Sequence, residues 1–403
     1  MNAEAAGSPS QALLHGAAAA GRIALDTEFM GEGRYRTLLC LVQLAIPDSD
    51  GGAERIEIVD PLEDDLDEDG LAGALANPAI QVVVHAGRQD IALMRRRFRT
   101  EVTNVFDTQV AAGFVGLGAQ SSYDALLTEV LGVRLAKSAS FTRWDVRPLS
   151  TEQLGYARGD VVNLLELSAE LERRLSELGR LGWAQEECEP LEASSDERDP
   201  EAIFARLPRV GGLTPSARPI ARELVRWRER TAEQADRPVQ SVLSDVALME
   251  LAKRKPSSRD QLEKIRGLGA GAMRRRSGEL LEAIGRGREE PPDPPSQLPR
   301  TAPPKPEDAP LVALSEALLR ARAREAGLAY ELLATRADLQ AIVAAWRLGA
   351  VGEHGSGGAQ ADVRTMRGWR RELVGEELLG LLDGRVSLSV RQQRLHVDYS
   401  MRL

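Results

Sequence analysis

The chain of 403 residues has two cysteines, four histidines and only 4% aromatic residues. Cys40 and Cys188 are too few for a disulfide framework or a zinc cluster. Cys40, inside an apolar run, reads as plain core. With so few rings, the cores must be aliphatic and alanine-rich, and 43% hydrophobic residues suffice for them. No apolar run approaches the roughly 20 residues a membrane span needs. Ala17–Ala20 lack a basic flank, and Glu4 is an early acid, a pattern unlike a signal peptide, so the cytoplasm is the expected compartment. The GxxxxGK[ST] phosphate loop is missing, which excludes a P-loop helicase motor.

Positive charge is also scarce overall, with a net charge of −9. It is unevenly spread: residues 217–290 hold 17 Lys and Arg against 12 Asp and Glu, a local +5. An acidic body with a basic appendage fits an enzyme carrying a separate module that grips a polyanion. At roughly 150 residues per domain, the length allows about three domains.

What is present centres on IALDTEF, residues 23–29. Ile23–Leu25 form a short apolar run that reads as a buried strand. Asp26 and Glu28 follow at i and i+2, so on a strand they point to one face. Two carboxylates side by side at the end of a buried strand repel and are poorly solvated. A hard divalent cation would reconcile them; the alternative is that one of the two caps a loop and faces water. Leu38–Ile46 and Arg55–Val59 read as further strands, and three in succession imply an antiparallel meander. The acidic run Glu63–Asp69 reads as a solvated loop opening the helix through Leu71 and Leu75. Gln81–His85 is a fourth strand, followed by a helix from about Gln89. Asp90 in its first turn is either an acid favoured by the helix dipole or a third carboxylate of the same site. His85 is read as a supporting residue behind the site at most, and Arg95, Arg96, Arg97 and Arg99 as a solvated helix face.

Further on, Asn104–Thr108 is a short connection, with helices through Ala111 and Phe114 and over Tyr123–Leu131. The polar stretch 137–147 interleaves Lys137, Arg143 and Arg147 with Trp144. This pattern suits phosphate contact and base stacking, with Trp144 also serving as the loop's anchor. From Ser150, which with Gln153 forms a capping box, the periodicity predicts one long helix. Tyr156 and Asp160 share a face of it, and an Asp in mid-helix needs a reason.

The set Asp26, Glu28, Asp90, Tyr156 and Asp160 resembles the DEDD exonuclease superfamily, in the subclass whose third motif is Tyr-x3-Asp, and most of all the ribonuclease D family. The residues that carry the likeness are IALDTEF (23–29), VVVHAGRQDIALM (82–94) and RPLSTEQLGYARGDVVNL (147–164), supported by LVQLA (41–45), VDPL (59–62), FDTQ (106–109) and the 137–149 stretch. The resemblance implies an α/β RNase H-like exonuclease domain with a mixed sheet. It also implies a site for two divalent ions, Mg²⁺ or Mn²⁺, held by Asp26, Glu28, Asp90 and Asp160, with Tyr156 orienting the attacking water. Thr27 and Phe29 would wedge the terminal nucleotide, and Lys137, Arg143 and Trp144 would contact the substrate. The implied activity is 3′→5′ hydrolysis of RNA, trimming tRNA precursors and other small structured RNAs to nucleoside 5′-monophosphates. The alternatives are a DNA exonuclease of repair or proofreading, and a catalytically idle RNA-binding protein.

Beyond residue 205 the chain turns helical. Residues 210–290 resemble the helicase-and-RNase-D C-terminal (HRDC) domain, with Lys253–Lys255 and Arg274–Arg276 as candidate phosphate contacts. Residues 186–202 read as an acidic hinge, 291–308 as a Pro-rich linker, 309–392 as a second HRDC-like helical bundle, and 393–403 as a tail. The resulting architecture is an exonuclease domain over 1–205 followed by two all-α bundles, monomeric, with RNA as its partner and no membrane association.

Overall fold

The computed structural model describes residues 9–47, 54–63, 67–135, 143–265, 267–268, 270–293, 305–349 and 363–399. The N-terminal domain is built on a mixed sheet of β1 (Arg22–Met30), β2 (Leu38–Ile46), β3 (Arg55–Val59), β4 (Gln81–Val84) and β5 (Val105–Asp107), in the order β3-β2-β1-β4-β5. β1, β2 and β3 pair antiparallel, as their succession implies, while β4 runs parallel to β1, and β5 to β4. β1 is therefore the switch point of the sheet, and β1 and β4 end at the same edge. Such an edge is where open mixed sheets place ligands.

Each face of the sheet is covered by helices. Ile23, Leu25, Val82 and Val84 pack beneath α1 (Pro9–Ala20), α2 (Glu68–Ala76) and α3 (Arg88–Phe98). The opposite face presents Ala24, Ala45 and Val83, and these small side chains let α7 (Leu164–Glu177) lie close through Leu164 and Leu165. Between them come α4 (Thr108–Phe114), α5 (Tyr123–Leu126), which continues as a π-helical turn over Leu127–Leu131, and α6 (Thr151–Gly159); α8 (Leu181–Glu192) follows α7. Ser150 and Gln153 form the expected capping box of α6. The long helix expected from Ser150 is in fact two. α6 ends at Gly159 and α7 begins at Leu164, with Asn163 between them in the left-handed region at φ 66°. Asp160 is thus a helix-ending residue rather than a mid-helix one.

Three supporting motifs have structural work. Asp107 of FDTQ is buried, and its carboxylate accepts from the Ala86 and Gly87 amides at 3.0 and 2.9 Å and from the Gln109 amide at 2.8 Å. It thereby caps α4 and fixes the turn that starts α3. Asp60 of VDPL receives Arg147 through both Nε and Nη2, at 2.5 and 2.6 Å, and Arg147 also reaches the Trp144 and Cys40 carbonyls. The arginines of α3 are not a solvated face. Arg95 donates to the Ser194 carbonyl at 2.8 Å, Arg96 pairs with Asp196 at 2.7 Å, and Arg97 pairs with Glu68 at 2.7 Å. Arg95 and Arg96 strap the 194–196 segment down, so the stretch expected to be a hinge is α8 followed by a tethered connection.

The helical unit that follows comprises α9 (Pro200–Ala205), α10 (Arg218–Gln234), α11 (Val239–Val242), α12 (Asp245–Arg254), α13 (Arg259–Leu262) and α14 (Ala270–Glu289) around one core. Phe204 belongs to that core, so α9 goes with this unit and not with the preceding domain, and Asp293 is held to it by Arg218 and Arg222 at 3.0 Å. The unit docks on the connection between β1 and β2. Arg34 meets Asp236 at 2.9 Å, Arg36 meets Glu233 at 3.1 Å, and Tyr35 packs on the core. The last unit has α15 (Asp308–Ala326), α16 (Arg336–Arg347), α17 (Gly368–Arg370) leading through a π-helical turn into α18 (Glu376–Leu382), and the hairpin β6 (Val386–Arg391) and β7 (Arg394–Tyr399). It is therefore not all-α, and the boundary expected at 392/393 falls in the hairpin's turn. Its core is continuous with the N-terminal domain: Trp369 stacks on Trp183 at 5.0 Å and meets Phe114 edge-on at 5.2 Å.

Gly87, at the start of α3, sits so tightly that an added Cβ would lie 2.5 Å from Val84 Cβ. Gly87→Ala is expected to cost about 1–3 kcal/mol by overpacking, read by chemical denaturation, and to lower activity by displacing Asp90. A variant as stable and as active as the parent would contradict this placement.

Candidate active site

β1 carries Asp26 and Glu28 to the edge where it meets β4. Their side chains share the face covered by α6, and the turn after α6 brings Asp160 to them. Carboxylate oxygens of Asp26, Glu28 and Asp160 all lie within 4.8 Å of one another. Asp90 arrives from the first turn of α3, 7% exposed, and its Oδ1 accepts the Thr27 hydroxyl. Thr27, between the two acids, points to the other face and is committed to Asp90. After Glu28 the β1–β2 register shifts, and Phe29 emerges there 38% exposed.

The electrostatics are those of crowded anions. Burial, followed by the charges of Asp90, Asp160 and Glu28, pushes the Asp26 carboxyl well above its ordinary value. Glu28 is pushed up to about 8 by burial and then by Asp160 and Asp90. Asp160 rises to about 7 through burial, and Asp90 is raised by burial against the opposing bond from Thr27. Among the described residues, no cationic side chain forms an ion pair with Asp26, Glu28 or Asp160. Tyr156 is pushed up to about 12 by burial and by Asp160, Glu28 and Asp26.

The remaining expectations divide. Trp144 is 3% exposed, in a pocket with Cys40, Leu41 and Ala157, its ring 6.0 Å from Tyr156. It braces Tyr156 from behind and offers no open face for a base. Arg143 is exposed and paired with Asp145 at 3.0 Å. Lys137 lies outside the described residues. His85 Nδ1 is 3.0 Å from Thr108 Oγ1, whose own proton goes to the Val84 carbonyl at 3.1 Å, so the imidazole donates to Thr108. Its ring rests on Tyr123 at 5.5 Å, behind the carboxylates, and burial lowers its pKa.

Gln43 was not singled out by sequence. It pairs directly with Asp26 across the strands, is wholly buried, and neither amide atom has a partner among the described residues. A buried amide left unpaired costs about 1–3 kcal/mol. The signal was available: Gln43 is the one polar residue in LLCLVQLAI.

An all-oxygen donor set, mutual repulsion with no described counter-cation, and an orphaned amide beside Asp26 suit a hard, hydrated divalent cation. The four carboxyls with raised values bind protons in the folded protein that the unfolded chain, with carboxyls near 4, has released. Their contribution to stability is complete below about pH 4 and is lost as pH rises through 7–8. Metal binding needs the deprotonated forms. The gain in melting temperature on adding Mg²⁺ or Mn²⁺ should therefore grow from pH 6 to 9 and then level. A gain independent of pH would contradict this reading of the cluster.

Comparison with known proteins agrees with the site. The family model of a 3′-5′ exonuclease domain matches residues 8–176, and that of the HRDC domain matches residues 218–284. Ribonuclease D of Granulibacter bethesdensis is 35% identical over 91% of this chain and 89% of its own. Ribonuclease D of Acidiphilium cryptum is 35% identical over 93% and 91%. The crystal structure of Escherichia coli RNase D, an exoribonuclease involved in structured RNA processing, is similar with a TM-score of 0.76 at 27% identity, covering 93% of this chain and 96% of that one. The catalytic core of RRP6 from Trypanosoma brucei is similar at 0.52 and 25%, over 69% and 76%. With carboxylates of all three motifs gathered at one sheet edge and its likeness running nearly end to end, the chain belongs to the ribonuclease D family of 3′-5′ exoribonucleases.

Proposed function

We propose that this enzyme trims the 3′ ends of tRNA precursors and other small structured RNAs, releasing nucleoside 5′-monophosphates with two bound divalent ions. The observation that carries the reading is the approach of Asp26, Glu28 and Asp160 to within 4.8 Å, with no described basic side chain paired to them. Asp26, Glu28 and Asp160, with Asp90 beside them, would hold the ions. When bound, the pair would lower the pKa of a water and stabilise charge on the leaving 3′-oxygen.

The chain's own residues do the rest. Tyr156, held above its usual range, keeps its proton at neutral pH and orients a water as a hydrogen-bonding phenol; it is a poor general base there. Trp144 holds the Tyr156 ring in place. Thr27 locks Asp90 in one rotamer. Phe29, exposed at the register shift beside Glu28, offers a ring for the terminal base to stack on. An RNA substrate is supported by the ribonuclease D relatives and by the structured-RNA role of the Escherichia coli neighbour.

We also read residues 305–382 as a second, divergent HRDC-like unit with an appended hairpin. Its helices enclose Leu318, Leu319, Leu339, Ile342 and Leu378, and Thr335 opens α16 with a capping box. Two accessory units docked on different elements of the nuclease suit a substrate whose folded body is held while its 3′ end enters the site.

Asp26→Asn and Asp160→Asn are expected to lower kcat on a 3′-tailed RNA by about 10²–10³-fold or more, with RNA affinity retained. Tyr156→Phe should cost on the order of 10²-fold. Stopped-time assays with binding measured in parallel check both. Full metal-dependent activity in either aspartate variant would remove the assignment.

A further inference from the structure

Asp160 depends on a break in what would otherwise be one helix. Nothing after Gly159 in the local sequence compels that break: Asp160–Leu165 contain neither Gly nor Pro. In an uninterrupted helix the Val162 carbonyl would accept from the Glu166 amide. Here that carbonyl, and the N–H of the same peptide group, are taken by side chains from elsewhere. The Tyr123 hydroxyl, at the start of α5, donates to the Val162 carbonyl at 2.5 Å. The Glu54 carboxylate, just before β3, accepts from the Asn163 amide at 3.1 Å.

The Val162 carbonyl and the Asn163 N–H belong to one planar peptide group and point in opposite directions. Tyr123 and Glu54 therefore grip that group at both ends and oppose its rotation. The grip is itself supported. The Tyr123 ring rests on His85, which is anchored to Thr108. Asn163 stays in the left-handed region, and Val161 and Leu164 are seated on Ala24, Ala45 and Val83. The gripped peptide lies two residues beyond Asp160.

We propose that Tyr123 and Glu54 are positioning residues of the active site: together they break the helix at the 162–163 peptide and so hold the Asp160 carboxylate beside Asp26 and Glu28. This rests on the reading of those carboxylates as a metal site. It gives function to two residues outside the three carboxylate motifs. It also gives His85 a role, as the backing of Tyr123 and not as a ligand.

The test uses the full-length protein and Tyr123→Phe, Glu54→Ala and Glu54→Gln. Mn²⁺ binding is measured by calorimetry with the metal alone, and kcat and KM on a single-stranded RNA are measured beside it. Tyr123→Phe removes one hydroxyl and keeps the ring. It and Glu54→Ala should weaken Mn²⁺ binding about 10–100-fold, the usual effect of losing a residue that orients a ligand. They should lower kcat at fixed Mn²⁺ with KM unchanged, and excess Mn²⁺ should restore most of the rate. Glu54→Gln, which keeps an acceptor oxygen, should lie much closer to the parent. Parental Mn²⁺ affinity and kcat in Tyr123→Phe would overturn the proposal, and that variant decides the matter if Glu54→Ala does not fold. A parent protein that binds Mn²⁺, with variants that bind it equally well, removes only the positioning role. A parent protein that binds none removes the metal site and this inference with it.

Discussion

Carboxylates forced together at the end of a strand buried on both faces set the terms for the rest of this structure. Asp26 and Glu28 are fixed to one face of β1 by the strand's two-residue period, and β1 cannot shift because β2 and β4 pair with it on either side. Asp90 and Asp160 then approach from helices on opposite faces of the sheet. Burial holds all four acids above their ordinary range, and for Asp26 and Glu28 the charges of the neighbouring carboxylates add to it. Such a cluster is unfavourable in isolation and favourable around divalent charge, so the same crowding that burdens the fold equips it for phosphate chemistry.

The surrounding structure can be understood as what holds that arrangement together. Asp107 fixes the turn that delivers Asp90, the Arg147–Asp60 pair secures the loop from which Trp144 backs Tyr156, and Tyr123 with Glu54 secures the turn that delivers Asp160. The accessory units are docked in different ways. The HRDC unit meets the nuclease near the β1–β2 connection through the half-exposed pairs Arg34–Asp236 and Arg36–Glu233, contacts of a kind that contribute little each and weaken with salt. The C-terminal unit shares an apolar core with it through Trp183, Trp369 and Phe114. The first attachment is the more easily altered of the two.

Much of this was legible in the sequence because it is local. Buried strands with apolar runs, the capping box at Ser150 and the Asp-x-Glu spacing announce themselves, and the HRDC stretch, read at 210–290 and matched at 218–284, was recognisable from its residues. What could not be read is tertiary. The region from Ser150 onward is periodic enough for one helix, and the residues that break it lie far away, at positions 54 and 123. Trp144 among basic residues has the composition of a nucleic-acid contact, yet a pocket made by Cys40, Leu41 and Ala157 encloses it. The arginines of α3 look solvated until Ser194, Asp196 and Glu68 are placed against them. The terminal hairpin escaped notice because its turn uses Gln392 and Gln393 at positive φ, where an Asn-Gly pair would have marked it.

The account's central claim is metal-dependent removal of nucleotides from the 3′ end of RNA, and matched substrates test it most directly. An RNA and a DNA, each with a tRNA-like stem and a single-stranded 3′ extension, would be incubated with Mg²⁺, with Mn²⁺ and with EDTA, and the products resolved by length and identity. The account predicts stepwise release of nucleoside 5′-monophosphates from the RNA, slowing at the stem and abolished by EDTA. Equal or faster degradation of the DNA, or tight RNA binding with no hydrolysis under either metal, would contradict it.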